Sequence, residues 1–142
     1  MEKEHIGFEI RTLSNLIHRK INQMVAEEED TLTARQVWVL KFLVSQGEKE
    51  TVQRDIEEKF SIRRSTASHM LTLMEHNGYI RRLPVPEDAR MKRIVATEKG
   101  VRAHDRMADR VRRFEAMLRE GMGDEELETF LCMLRRFEQN IS

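Results

Sequence analysis

Residues Ser61–Gly100 read SIRRSTASHMLTLMEHNGYIRRLPVPEDARMKRIVATEKG, and the fold turns on how this stretch is parsed. Ala67, Met70, Leu71 and Met74 recur at i, i+3, i+4 and i+7, which is one face of an α-helix. The opposite face carries Ser65, Ser68, His69, Thr72 and His76, with Arg63 and Arg64 at the start. Asn77-Gly78 ends the helix, because glycine takes the left-handed conformation there without steric cost. A helix buried on one side, with small hydroxyls and arginines on the other, suits a DNA major groove. Ser and Thr reach base edges or phosphates, and Arg pairs bidentately with guanine. A solvated helix face has the same composition, so this helix alone does not decide the matter.

The segment after the helix decides it. Tyr79-Ile80-Arg81-Arg82-Leu83 reads as a short strand, and Pro84 and Pro86 then bar a regular central strand. Glu87 to Met91 is a polar turn. Lys92-Arg93-Ile94-Val95-Ala96 returns with β-branched residues, and Thr97 is placed to cap the next helix. Helix, strand, basic loop, strand is the order of a winged helix-turn-helix. The predicted class is mainly α with a small β-wing.

These residues carry a family resemblance. Ser65-Thr66, the run Glu75-His76-Asn77-Gly78-Tyr79-Ile80, the triplet Asp88-Ala89-Arg90 and the run Ala96-Thr97-Glu98-Lys99-Gly100 resemble the MarR family (multiple-antibiotic-resistance regulators). That family comprises dimeric winged-helix repressors of bacteria and archaea. The resemblance implies that Arg90, from an Asp-x-Arg wing triplet, reaches into the minor groove, with Asp88 as its orienting carboxylate. Two departures stand out. Arg63 occupies the position of a usual N-cap, and Ala96 replaces a commoner leucine.

Charge supports the same reading. The 142 residues hold 25 Lys+Arg and 25 Asp+Glu, so the total gives no sign of a general polyanion binder. Segment 61–93, however, carries seven basic and three acidic residues. DNA affinity rests on neutralising phosphates, so this local excess matters more than the total. A single cysteine excludes an intramolecular disulfide framework. The polar N-terminus offers no apolar signal region, and the longest apolar run, Val37 to Val44, is broken by Lys41. A cytoplasmic protein with no membrane partner is expected. No internal repeat or low-complexity tract is visible.

Outward from the central stretch, a first helix is predicted over Glu4 to Glu27. Its stripe is Ile6, Ile10, Leu13, Ile17, Ile21 and Met24, widened by Leu16 and Val25. An acidic exit, Glu27 to Asp30, comes next. Thr33 and Gln36 form a capping box for a second helix, with Leu32 and Val37 as a hydrophobic staple. Val37, Trp38, Leu40, Phe42, Leu43 and Val44 make it central to the core, and Gln46-Gly47 ends it. Thr51 opens a third helix with Val52, Ile56 and Phe60 on its buried side. Phe60-Ser61-Ile62 is the turn into the recognition helix. After the wing, a helix runs to about Glu120 with Val101, Ala108, Val111, Phe114 and Leu118 on its apolar side and Met107 and Met117 beside it. Gly121 to Gly123 breaks it. Asp124, Glu125 and Glu126 favour a new helix start through the helix dipole. The last stripe is Leu127, Phe130, Leu131, Leu134, Phe137 and Ile141.

Residues 1–142 thus make one domain. A winged helix-turn-helix portion spans 31–100, and helical dimerisation portions span 1–30 and 101–142. The terminal helices carry more apolar surface than the small core can cover, so a homodimer is predicted. A C₂ pair would read a pseudo-palindrome in double-stranded DNA.

Site expectations divide by role. Ser65, Thr66, Ser68 and His69 face the major groove, and Arg63 and Arg64 contact phosphate or guanine. Arg90, with Asp88, serves the minor groove, and Lys92 and Arg93 hold the flanking backbone. Catalysis has no support. Ser68 and His69 point about 100° apart on a helix, and His5, His18, His69, His76 and His104 form no zinc-spacing motif with Cys132. No cofactor or metal is predicted. The resemblance implies an effector pocket for small lipophilic or aromatic compounds, which Ile17, Trp38, Phe42, Met70, Met74 and Met107 could line. Residues at this helical spacing are more often plain core. Cys132 reads as a buried structural thiol, since reactivity needs exposure and a lowered pKa. A protein-interaction module without specific DNA binding, or a redox- or metal-responsive regulator, are the alternatives.

Overall fold

The structure, a computed structural model, describes residues 5–27 and 32–142. Its elements in chain order are α1 (Ile6–Ala26), α2 (Ala34–Gln46), α3 (Gln53–Phe60), α4 (Arg64–His76), β1 (Ile80–Val85), β2 (Asp88–Ala96), α5 (Glu98–Leu118) and α6 (Asp124–Ile141). Six helices and one antiparallel hairpin match the predicted class. Two compact units are present, residues 1–108 and 109–142. The helix start at Glu4 and the acidic exit from Glu28 to Asp30 lie outside the described residues. No described helix is long and apolar enough to cross a membrane.

The core lies where α2 meets the helix-turn-helix. Gln36 N–H donates to Thr33 Oγ1 at 3.3 Å and Thr33 N–H to Gln36 Oε1 at 3.0 Å, so the capping box forms as read. Leu32 and Val37 are both buried, as a staple requires. Asn22 Oδ1 accepts from Ala34 N–H at 2.8 Å and ties α1 to this start. Val37, Val39, Leu40 and Leu43 form the buried face of α2. Trp38, Phe42 and Val44 are only half-buried, and Val39, absent from the predicted set, is fully enclosed. The Lys41 ammonium lies 5.5 Å from the Trp38 ring centroid, a cation–π contact that suits a partly exposed tryptophan.

Thr51 does not open α3. Its carbonyl accepts from Ile94 N–H at 2.7 Å, and Val52 bridges to Arg93, so this stretch pairs with the wing instead. Val52 becomes the N-cap residue, and its N–H donates to Asp55 Oδ2 at 2.9 Å. α3 ends at Ser61, which takes the left-handed conformation at φ 50° and ψ 50°. Ile62 N–H then returns to the Glu57 carbonyl at 3.0 Å, which closes the turn into α4.

The hairpin pairs Ile80 with Ala96 and continues in register to Pro84 with Lys92. Val85 then pairs with Asp88, so Ala89 to Met91 bulge from the ladder at the wing tip. The chain reverses at Pro86-Glu87, a shorter turn than Glu87 to Met91. Pro84 fits within β1 because this two-stranded sheet has a free edge for it.

α5 grips the end of α4. Thr97 Oγ1 donates to the Gly78 carbonyl and accepts from Gly100 N–H at 3.1 Å, which is the predicted cap with a second anchor. Lys99 Nζ donates to the Asn77 carbonyl at 2.6 Å and lies 4.5 Å from the Tyr79 ring centroid. The buried residues of α5 are Ala103, Met107, Val111 and Phe114, whereas Val101, Met117 and Leu118 are exposed. Val101 lies off this stripe by the helical period, whereas Leu118 lies on it and is exposed as the last residue of the helix.

Two helices keep large apolar surfaces in the open. On α1 only Ile21 and Val25 are buried, while Ile6, Phe8, Ile10, Leu13 and Leu16 are exposed. On α6 no residue is buried, and Phe130, Leu131, Met133, Phe137 and Ile141 are exposed. The buried thiol expected at Cys132 is corrected: Cys132 is exposed.

Candidate nucleic-acid interface

α4 presents the predicted polar face. Ala67, Met70, Leu71 and Met74 are buried, which turns Ser65 and His69 outward and leaves Thr66 and Ser68 half-buried at the flanks. Arg63 stands as N-cap with no side-chain capping bond, so both Arg63 and Arg64 are exposed at the helix start. A guanidinium has no acceptor, so Arg63 cannot cap the helix with its side chain.

The far end of α4 is tied to the wing. Arg82 on β1 donates from Nη2 to Thr72 Oγ1 at 3.2 Å, and its backbone N–H donates to Glu75 Oε2 at 3.2 Å. Thr72 and Glu75 sit one turn apart on α4, so β1 holds the helix at two points. At the wing tip, Asp88 Oδ1 accepts from the Arg90 backbone N–H at 2.9 Å. This bond holds the local backbone of the wing tip, and Arg90 is exposed.

Between α3, the start of α4 and the wing lies a cleft of about 470 Å³, lined by Val52, Gln53, Arg54, Glu57, Arg64, Arg82, Arg90, Met91, Lys92 and Ile94. Five of these residues are basic and one is acidic. Of the residues named from the sequence, Arg64, Arg90 and Lys92 line this cleft together. Arg93 does not, because adjacent strand residues face opposite sides. It lines a separate cavity with Leu43, Val44, Thr51 and Val101. Sequence reasoning missed Arg54 and Arg82. Arg54 looks like one more charge on the solvated side of α3, and only the fold reveals that this side faces the wing.

A second cavity, about 570 Å³, borders the other flank of α4. It is lined by His18 from α1, by Thr33, Arg35 and Gln36, and by Ser65, Thr66, His69, Met70 and Leu73. Of the six residues named for an effector pocket, only Met70 lines it. Met74 and Met107 are sealed in the core, and Ile17, Trp38 and Phe42 are half-buried.

A family model described as the MarR family matches residues 30–91, from the approach to α2 through the wing tip. The matched stretch, somewhat less than half of the chain, is similar to the MarR family. Two Bacillus subtilis proteins are similar. The uncharacterized HTH-type transcriptional regulator YybA is 27% identical over 90 residues, covering 63% of this chain and 60% of that protein. The uncharacterized HTH-type transcriptional regulator YwoH is 27% identical over 135 residues, covering 95% of each. In three dimensions the chain is similar to Staphylococcus aureus MepR in its DNA complex. The TM-score is 0.85 at 21% identity, with 95% of this chain and 97% of that one covered. At that identity the likeness shows the fold alone, a winged helix with its hairpin wing.

Proposed function

We propose that this chain is a MarR-family transcriptional regulator that binds a pseudo-palindromic operator as a homodimer, in the cytoplasm, and represses until a small effector releases it. The observation that carries the reading is the recognition face of α4, Ser65 and His69 outward, standing beside a cleft with five basic residues. Ser65, Thr66, Ser68 and His69 would read base edges in the major groove. Arg63, Arg64 and Lys92 would hold phosphates, and Arg90 would enter the minor groove, placed by Asp88. An interaction module would have no use for this charge.

Residues 31–100 would form the DNA-binding portion, and residues 1–30 and 101–142 the dimerisation portion. The open apolar faces of α1 and α6 support this division, since monomers rarely leave so much apolar surface in water. A second copy would cover them and set two recognition helices about one turn of DNA apart. Sedimentation at micromolar concentration is expected to give a dimer, and two protomers per operator. Leu13→Asp with Phe137→Asp is expected to give monomers with little operator affinity. A folded wild-type monomer at that concentration would contradict the dimer.

The cavity beside α4 is the proposed effector site. Arg35, His18 and His69 suit an anionic group, and Met70 and Leu73 suit an aromatic ring, so phenolic acids fit better than neutral lipophiles. An occupant would touch Ser65, Thr66 and His69, the residues that DNA would use, and would shift the spacing of the recognition helices. A hydroxybenzoate is expected to weaken operator binding by the wild type and to lose that effect in Arg35→Ala. Equal release of both, or of neither, would remove this site from consideration.

A further inference from the structure

Cations from four elements meet in the cleft beside the wing: Arg54 from α3, Arg64 from α4, Arg82 from β1, and Arg90 and Lys92 from β2. Folding alone gives no reason to gather them, since like charges at close range repel. Glu57 is the single carboxylate on the lining. Arg82 is short of acceptors as well. One of its donors is used on Thr72, while its Nε is buried without a hydrogen-bond partner among the described residues. A buried donor left unpaired is costly, and an anion in the cleft would offset the repulsion and neutralise the guanidinium that carries it.

We propose that this cleft seats one backbone phosphate in each DNA half-site, with Arg54 and Arg82 as the residues that grip it. The proposal rests on the DNA-binding reading above and deepens it. Arg54 is a point of affinity only. Arg82 does more, because the same guanidinium holds Thr72 on the recognition helix. Seating the phosphate on Arg82 therefore fixes the register of α4 against the bases. A phosphate contact, which carries no sequence information of its own, here governs how sequence is read.

The test uses the full chain and its selected operator, with each phosphate replaced singly by a neutral methylphosphonate. Affinity is read by fluorescence anisotropy at several salt concentrations. At one position per half-site the replacement is expected to weaken the wild type by about tenfold. The same replacement should weaken Arg54→Gln by less than about twofold, since the charge partner is already gone. Arg54→Gln should also keep its base preference and lose about one unit of salt slope. Arg82→Gln should show the same missing response together with relaxed base preference. Arg81→Gln, whose residue is exposed and outside the cleft, should respond like the wild type. Thermal midpoints of the variants, equal to that of the wild type, exclude misfolding as the cause. Operator binding in which Arg54→Gln responds as strongly as the wild type at every phosphate overturns the seat and leaves the DNA reading intact. Absence of any specific binding by the wild type overturns both.

Discussion

Replacing Gly100 with alanine is expected to destabilise the protein by about 3 kcal/mol or more. The cause is a collision, not backbone strain. Gly100 is buried in the first turn of α5, directly beneath the end of α4. A Cβ there would run into the Tyr79 carbonyl oxygen and come within 3.3 Å of Leu40 Cδ2. Neither neighbour can retreat at low cost. The Tyr79 carbonyl accepts from Thr97 N–H at 3.0 Å, and both Tyr79 and Leu40 are fully buried. To make room, α5 must lift away from α4, which also breaks the Thr97 cap on Gly78 and the Lys99 bond to Asn77. In a chain of this size the loss should lower the thermal midpoint by roughly 10 °C. Gly7→Ala is the control. It lies near the start of α1 with nothing within 4 Å of the new Cβ, so alanine should be neutral or mildly stabilising there. A Gly100→Ala protein that melts with the wild type would mean that the α4–α5 junction is not packed as described.

Arg90→Ala is expected to lower operator affinity by roughly 10- to 100-fold while leaving the thermal midpoint unchanged. Arg90 is exposed at the wing tip and contributes no core packing, so its loss has nowhere to act except on a partner. Asp88 separates two explanations of the wing triplet. Its Oδ1 accepts from the Arg90 backbone N–H, a bond that an asparagine oxygen can also make. Asp88→Ala should therefore weaken binding, because the wing tip loses its set geometry. Asp88→Asn should bind as well as the wild type or better, since the acceptor stays and a negative charge leaves the DNA-facing tip. Equal losses in both variants would show that the turn bond is not how Asp88 acts.

The sequence made these positions legible to different degrees, for physical reasons. Local rules held best. The Thr33–Gln36 capping box, the Thr97 cap and the apolar stripe of α4 depend on residues within one or two turns of each other, and all form as read. The weak start at Arg63 also shows in the fold as a missing cap bond. Contacts between distant elements were hidden. Thr51 looked like a helix start, but its carbonyl was claimed by Ile94, 43 residues along the chain. Arg54 looked like solvated surface until the wing was placed over it. Lys92 and Arg93 looked like a pair, yet strand alternation sends them to different cavities. The stripes of α1 and α6 were visible in the sequence. Their large apolar residues stand exposed, and so does Cys132.

Sequence selection from a random duplex pool at near-physiological salt, run in parallel with wild-type protein and Arg90→Ala, bears most directly on the proposed regulator. The wild type should enrich an inverted repeat with half-sites about one helical turn apart, and Arg90→Ala should lose most of that enrichment. Binding that enriches no sequence and disappears as salt rises would contradict an operator-reading dimer. It would leave a winged helix whose charge attracts DNA without reading it.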